Sequence, residues 1–283
     1  MLRTALFGAV RQCYGGIFMY SEGIFEINGA PLFCKIRGEG KPILLIHGAA
    51  VDADFFDETA EILAKNHKVI TYDRRGYSRS SGEIKNGFLE DSADDAAEII
   101  RRFSPEEQVT VIGCSAGALI VMRLANKYPK HVSLAIIHEP PTMAFLPENH
   151  EAFEIADKIN AFVAAGKIGR GATKFLLLMD NGDENAKPKS EEVMLREEEN
   201  MRFFIKNEFA GTFTRKLPPE IPKSVKAVFC AGDAHREDFI YKTTQMLAEN
   251  SMVPFIRIAG KHSCAHDLPM EFALAVEGII SIM

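Results

Sequence analysis

The sequence predicts an α/β architecture: a mostly parallel, twisted sheet of about eight strands, helices on both faces, and a helical cap inserted after the sixth strand. Three observations predict it. Short β-branched or continuous apolar runs alternate with amphipathic helical stretches, the rhythm of a parallel sheet covered on both sides. That rhythm stops between Phe145 and about Leu217, where three helical stretches follow one another with no convincing strand. It resumes after Pro218-Pro219 and Pro222, with two more strand and helix pairs.

Taken in order, Gly23–Asn28 and Leu32–Arg37 alternate apolar and polar residues around Asn28-Gly29, which predicts an antiparallel hairpin. Pro42–Ile46 is a continuous apolar run, hence a buried strand, and it ends in His47-Gly48-Ala49-Ala50. A helix is expected over Ala53–Lys65 with Phe56, Ala60 and Leu63 inward. Lys68–Tyr72 is the next strand, ending in Asp73-Arg74-Arg75-Gly76-Tyr77-Ser78, and Leu89–Phe103 is an amphipathic helix. The Val109 strand and the helix after Ser115 come next, then a strand over Val132–Ile137 ending in His138-Glu139-Pro140-Pro141. The insertion offers helices at roughly Glu148–Ala165, Arg170–Met179 and Ser190–Asn207. In the last, Val193, Met194, Met201, Phe204 and Ile205 form an apolar seam in an otherwise charged run. Val225–Ala231 and Val253–Ala259 are strands; Phe239–Asn250 and Phe272–Ile282 are helices. The expected organisation is an extension over 1–18, a core made of 19–144 and 218–283, and a cap over 145–217.

Composition narrows the class. With 283 residues, 47% hydrophobic and 25% charged, the chain has the make-up of an ordinary globular protein able to bury a large core. A net charge of −6 argues against a nucleic-acid surface. No run approaches the roughly 18 apolar residues that span a bilayer, so no membrane association is expected. The first residues, MLRTALFGAV, faintly resemble a signal peptide, but Arg11 and Gln12 cut the apolar run and no small-x-small site follows. The five cysteines are odd in number, scattered and without a C-x-x-C pair, which predicts neither a disulfide framework nor a metal site. A cytoplasmic protein is the expectation.

The chemistry concentrates at Gly113-Cys114-Ser115-Ala116-Gly117, a G-x-S-x-G pattern between a buried strand and a helix. A sharp turn there lifts the serine hydroxyl clear of the sheet, and a side chain at Gly113 or Gly117 would crowd it. A neutral hydroxyl needs a base within hydrogen-bond reach, and an acid to orient that base. His262, in Gly260-Lys261-His262 directly after the last strand, is placed for the base; His266 is its competitor. Backbone N–H groups of Ala116, at the helix start, and Ala49, in the His47 loop, are the candidates for stabilising an oxyanion.

With these residues in order, the chain resembles the α/β-hydrolase fold superfamily, specifically its lid-bearing, esterase-like serine hydrolases. The match covers most of the chain except the insertion, which takes the place of that family's cap. The resemblance implies a serine nucleophile, a histidine base and no cofactor. The acid departs from the commonest pattern: where many relatives carry Gly-x-x-Asp after the strand matching Val225–Ala231, this chain has Gly232-Asp233-Ala234-His235. Asp233, Glu237 or Asp238 could substitute. Glu139, 24 residues after Ser115 at the end of the adjacent strand, is the preferred acid, as in haloalkane dehalogenases and some lipases of this fold. Pro140 is expected to hold Glu139 in an extended backbone.

A serine at the elbow suits acyl transfer, whereas dehalogenases and epoxide hydrolases of this fold use aspartate there. The expected function is therefore hydrolysis of a carboxylic ester or related small-molecule acyl substrate through an acyl-enzyme. A cofactor-free lyase or oxygenase, and a slow-turnover ligand receptor, are the alternatives on the same fold. Phenylalanines and methionines of the insertion, Phe153, Phe175, Met201 and Phe204 among them, suggest an apolar acyl site. Oligomeric state leaves no sequence signature.

Overall fold

The computed structural model describes residues 19–179 and 189–283; the expected extension over 1–18 lies outside them. Eight strands form one sheet: β1 (Tyr20–Ile27), β2 (Ala30–Arg37), β3 (Lys41–Ile46), β4 (His67–Tyr72), β5 (Val109–Cys114), β6 (Val132–His138), β7 (Lys226–Gly232) and β8 (Phe255–Ile258). Their spatial order is β1-β2-β4-β3-β5-β6-β7-β8. The β1–β2 and β2–β4 pairs are antiparallel and all others parallel. The β1–β2 hairpin turns at Asn28 and Gly29, both at positive φ, the geometry that makes Asn-Gly the favoured two-residue turn.

The helices are α1 (Asp57–Leu63), α2 (Phe88–Phe103), α3 (Ala116–Lys127), α4 (Glu151–Ala164), α5 (Ile168–Met179), α6 (Glu191–Asn207), α7 (Phe209–Thr212), α8 (Phe239–Ser251), α9 (Cys264–Asp267) and α10 (Pro269–Ile282). The continuous apolar strands follow from burial on both faces. Alternate residues of one strand enter different cores: Leu44, Ile46, Val111 and Ile137 pack with α2, α3 and α8. Ile43, Leu45, Ile112 and Ile136 pack with Phe56 and Leu63 before and on α1 and with Phe272 and Val276 of α10. No polar face is left on the central strands, so period-two alternation is absent there.

A third cluster lies in the insertion, where Phe153, Phe175, Phe204, Phe209 and Phe213 are buried with Tyr77 and Met143. Phe175 meets Phe204 at 5.1 Å, and Phe209 stacks on Phe213 at 5.2 Å. These aromatics bury the cap helices on one another. The expected seam on α6 holds for Met201, Phe204 and Ile205, but Met194 is 53% exposed. Two short helices, α7 and α9, lie where the sequence suggested none, each too short for a periodic signal.

The strand order reverses around β3, which lies between β4 and β5. In such sheets the crevice beyond the strand C-termini at this point is the natural ligand site. The loop after β3 and the turn after β5 flank it.

Candidate active site

One residue, Ser115, separates β5 from α3. Its backbone sits at φ 56° and ψ −124°, a region costly for any residue with a Cβ. The surroundings enforce it. A Cβ on Gly113 would collide with the Gly117 carbonyl, and one on Gly117 with the Ile46 carbonyl. Gly48 is tight as well: a Cβ there would stand 3.0 Å from the Ser115 Cβ. The Ser115 N–H donates to the His138 carbonyl at 2.9 Å, tying the elbow to the end of β6.

Register then sets the next group in place. Cys114 pairs with His138, and His138 with Cys230, so Glu139 emerges beside the elbow at the same edge. Its N–H donates to the Cys230 carbonyl at 3.0 Å. Its carboxylate accepts from the Gly232 N–H at 2.8 Å through Oε1 and meets His262 Nδ1 at 2.5 Å through Oε2. The backbone expectation for Glu139 fails: it is at φ 48°, left-handed rather than extended. The tethers at Cys230 and Gly232 override the local preference that Pro140 imposes on its neighbour.

Burial alone would push the Glu139 carboxyl up, but the His138 and His262 imidazoles and the Gly232 N–H outweigh it and hold it at about 2. An ionised carboxylate only accepts, so the proton between them sits on His262 Nδ1. The other carboxylates are engaged elsewhere. Asp238 meets His235 at 3.1 Å, and Asp233 lies 3.6 Å from Arg236. His266 stacks on Phe55 at 5.7 Å. Among the described residues, the histidine brought to a buried carboxylate at this edge is His262, while the Ser115 hydroxyl makes no hydrogen bond to it.

Ala116 is the first residue of α3, so its N–H is among the four that a helix leaves unsatisfied. Ala49 lies in the loop facing it, with Ala50 at φ 64°. That loop is held by His47 and Arg74, from runs the sequence singled out, and by Glu208, which it did not. The Arg74 N–H donates to His47 Nε2 at 2.9 Å, and His47 Nδ1 lies 2.9 Å from the Gly48 carbonyl. Arg74 Nη2 also donates to that carbonyl, at 3.1 Å. Arg74 is in turn bound by Glu208, between α6 and α7, at 3.0 to 3.1 Å. Glu208 is 1% exposed. Its place between the apolar runs Phe203-Phe204-Ile205 and Phe209-Ala210 was the available signal, masked by the acidic run before it.

Behind Glu139, His138 is fully buried, 3.5 Å from the Cys264 thiol through Nε2, with Nδ1 unpartnered. Burial pushes it down to about 4 although Glu139 pulls the other way, so it is neutral at neutral pH. The described cysteines, Cys34, Cys114, Cys230 and Cys264, are buried and unpaired. Among the described residues no cluster of three or more His, Cys, Asp or Glu could hold a metal ion. No helix among them is long and apolar enough to cross a membrane.

Comparison with known proteins establishes the family. Residues 41–166 match the model of the alpha/beta hydrolase fold family. Over 251 residues the chain is 30% identical to the uncharacterized hydrolase YraK of Bacillus subtilis (strain 168), spanning 86% of this chain and 90% of that protein. The chain belongs to the α/β-hydrolase family. The fold of this α/β hydrolase is also that of a thermophilic esterase from Thermogutta terrifontis, with TM-score 0.64 and 19% identity over 92% of this chain and 98% of that one. The epoxide hydrolase VrEH1 from Vigna radiata shares it too, with TM-score 0.67 and 15% identity over 93% and 98%. The expected family and sheet architecture are thus met, and this α/β hydrolase carries its cap helices where the sixth strand ends.

Proposed function

We propose that this hydrolase is a serine esterase-like enzyme acting on a small carboxylic ester or related acyl substrate through Ser115, His262 and Glu139. The observation that carries the reading is the 2.5 Å contact between the Glu139 carboxylate and His262 Nδ1, at the edge where Ser115 is held in its strained turn. With Nδ1 protonated and held, Nε2 is the free base. Substrate binding brings Ser115 Oγ onto Nε2, a contact that commonly tightens only in the bound complex.

The hydroxyl oxygen then attacks the acyl carbon while its proton passes to Nε2. The tetrahedral oxyanion is received by the Ala49 and Ala116 N–H groups. Nε2 returns the proton to the leaving oxygen and the acyl-enzyme remains. Water repeats the sequence, and the carboxylic acid leaves. Glu139 stays ionised throughout and stabilises the imidazolium. Serine, unlike an elbow aspartate, favours attack at an acyl carbon over displacement at an alkyl carbon.

The test is turnover of p-nitrophenyl acetate together with labelling by a fluorophosphonate. Wild-type protein should hydrolyse the ester and carry one label on Ser115, and Ser115→Ala should lose both with its far-UV circular dichroism intact. Undiminished turnover in Ser115→Ala would remove the mechanism. Labelling without turnover, accompanied by oxygen consumption on an activated substrate, would point to a non-hydrolytic reaction.

A further inference from the structure

We propose that Arg74 and the cap residue Glu208 are positioning residues that aim the Ala49 N–H at the oxyanion, so that the donor is set by the docked cap. The inference rests on the proposed acyl-transfer reading, in which Ala49 supplies one of the two donors. It starts from the Gly48–Ala49 peptide. A trans peptide is planar, with its C=O and N–H pointing in opposite directions. Whatever fixes the Gly48 oxygen therefore fixes the direction of the Ala49 hydrogen.

Two donors hold that oxygen. His47 Nε2 accepts the Arg74 N–H at 2.9 Å, and burial beside the Arg74 cation pushes this imidazole well down. It is therefore neutral with its proton on Nδ1, which donates to the Gly48 carbonyl at 2.9 Å. The second donor is Arg74 Nη2, at 3.1 Å. A guanidinium on the carbonyl also polarises the peptide, making its N–H a stronger donor.

Arg74 is 1% exposed and cannot keep its charge there unaided. Glu208 supplies the counter-charge, with Oε1 and Oε2 each 3.1 Å from Nη1 and Oε2 3.0 Å from Nη2. Tyr77 donates its hydroxyl to Glu208 at 2.8 Å and stacks its ring 4.3 Å beneath the guanidinium. Stability alone is a poor explanation for this arrangement. A buried ion pair seldom outperforms apolar packing, and Arg74 Nε is left buried without a partner. What the pair does accomplish is to connect a residue between two cap helices to one peptide of the β3 loop.

The test compares wild type with Glu208→Gln, which keeps the shape and the Tyr77 contact but removes the charge. We expect kcat on p-nitrophenyl acetate to fall about 10-fold to 100-fold, less than loss of a whole oxyanion donor, with KM within about 2-fold. Affinity for an aryl trifluoromethyl ketone, which forms a tetrahedral oxyanion on serine, should fall in parallel, and Glu208→Asp should recover part of both. A lower melting temperature with kcat and ketone affinity unchanged would make the pair a cap anchor only and overturn the inference. If Glu208→Gln does not fold, the neutral pair Arg74→Gln with Glu208→Gln is read by the same two measurements. Wild-type protein that neither labels at Ser115 nor hydrolyses the ester would instead sink the parent reading.

Discussion

Replacing Ser115 with glycine should make this protein more stable as it destroys activity. The Ser115 backbone lies at φ 56° and ψ −124°, where a residue with a Cβ carries about 1–3 kcal/mol of strain. Ser115→Ala removes the hydroxyl but keeps the Cβ, so it keeps the strain. Ser115→Gly releases it, against about 0.5–1 kcal/mol for the freer unfolded chain. The net gain of Gly over Ala is about 1 kcal/mol, or roughly 2–4 °C in melting temperature for a chain of this size. Thermal and urea unfolding followed by far-UV circular dichroism, on both variants side by side, measure the difference. A glycine variant that melts at or below the alanine variant would refute the claim that the elbow stores strain at Ser115.

Glu139→Gln should lower kcat by about 1,000-fold to 10,000-fold with little change in KM, because an amide can donate to Nδ1 and stabilise the wrong tautomer of His262. Asp238→Asn should leave turnover within about 2-fold, since Asp238 is engaged with His235; steady-state kinetics on both variants separates the two candidate acids. Stability should fall with acid in two stages. His138, held at about 4, stays neutral while the unfolded chain takes up a proton. Its share of stability is therefore present above about pH 6.5 and lost as pH falls to about 4, about 3 kcal/mol in all. Glu139, held at about 2, adds a further loss between about pH 4.5 and 2. Urea titrations from pH 7 to 4 should show His138→Phe with a shallower decline than wild type, and an equal slope would remove His138 as the cause.

The positions of most elements were legible locally because the signals are local. The runs at Ile43–Ile46 and Val109–Ile112 are apolar at every position since both sheet faces are covered. Gly113 is legible because its crowding comes from Gly117, four residues on, whereas Gly117 is crowded by the distant Ile46 carbonyl and is legible only through the motif they share. What escaped were features set by distant partners. Glu139 takes a left-handed backbone against the bias of Pro140 because β7 offers its N–H and carboxylate a partner each. Met194 lies exposed on a helix whose inward face is decided by where the rest of the cap packs.

By itself, then, the sequence determined the sheet, its interruption, the serine elbow and the loops from which the candidate base and acids come, because strand ends in a parallel sheet bring C-terminal loops to one edge whatever the details. Only the tertiary structure decided that Glu139 rather than Asp233 or Asp238 reaches His262. Only it, too, joined Glu208 to Arg74 and the Gly48 carbonyl. The Glu139–His262 and Arg74–Glu208 contacts link residues more than 100 positions apart, and burial alone makes their charges and hydrogen bonds strong enough to matter.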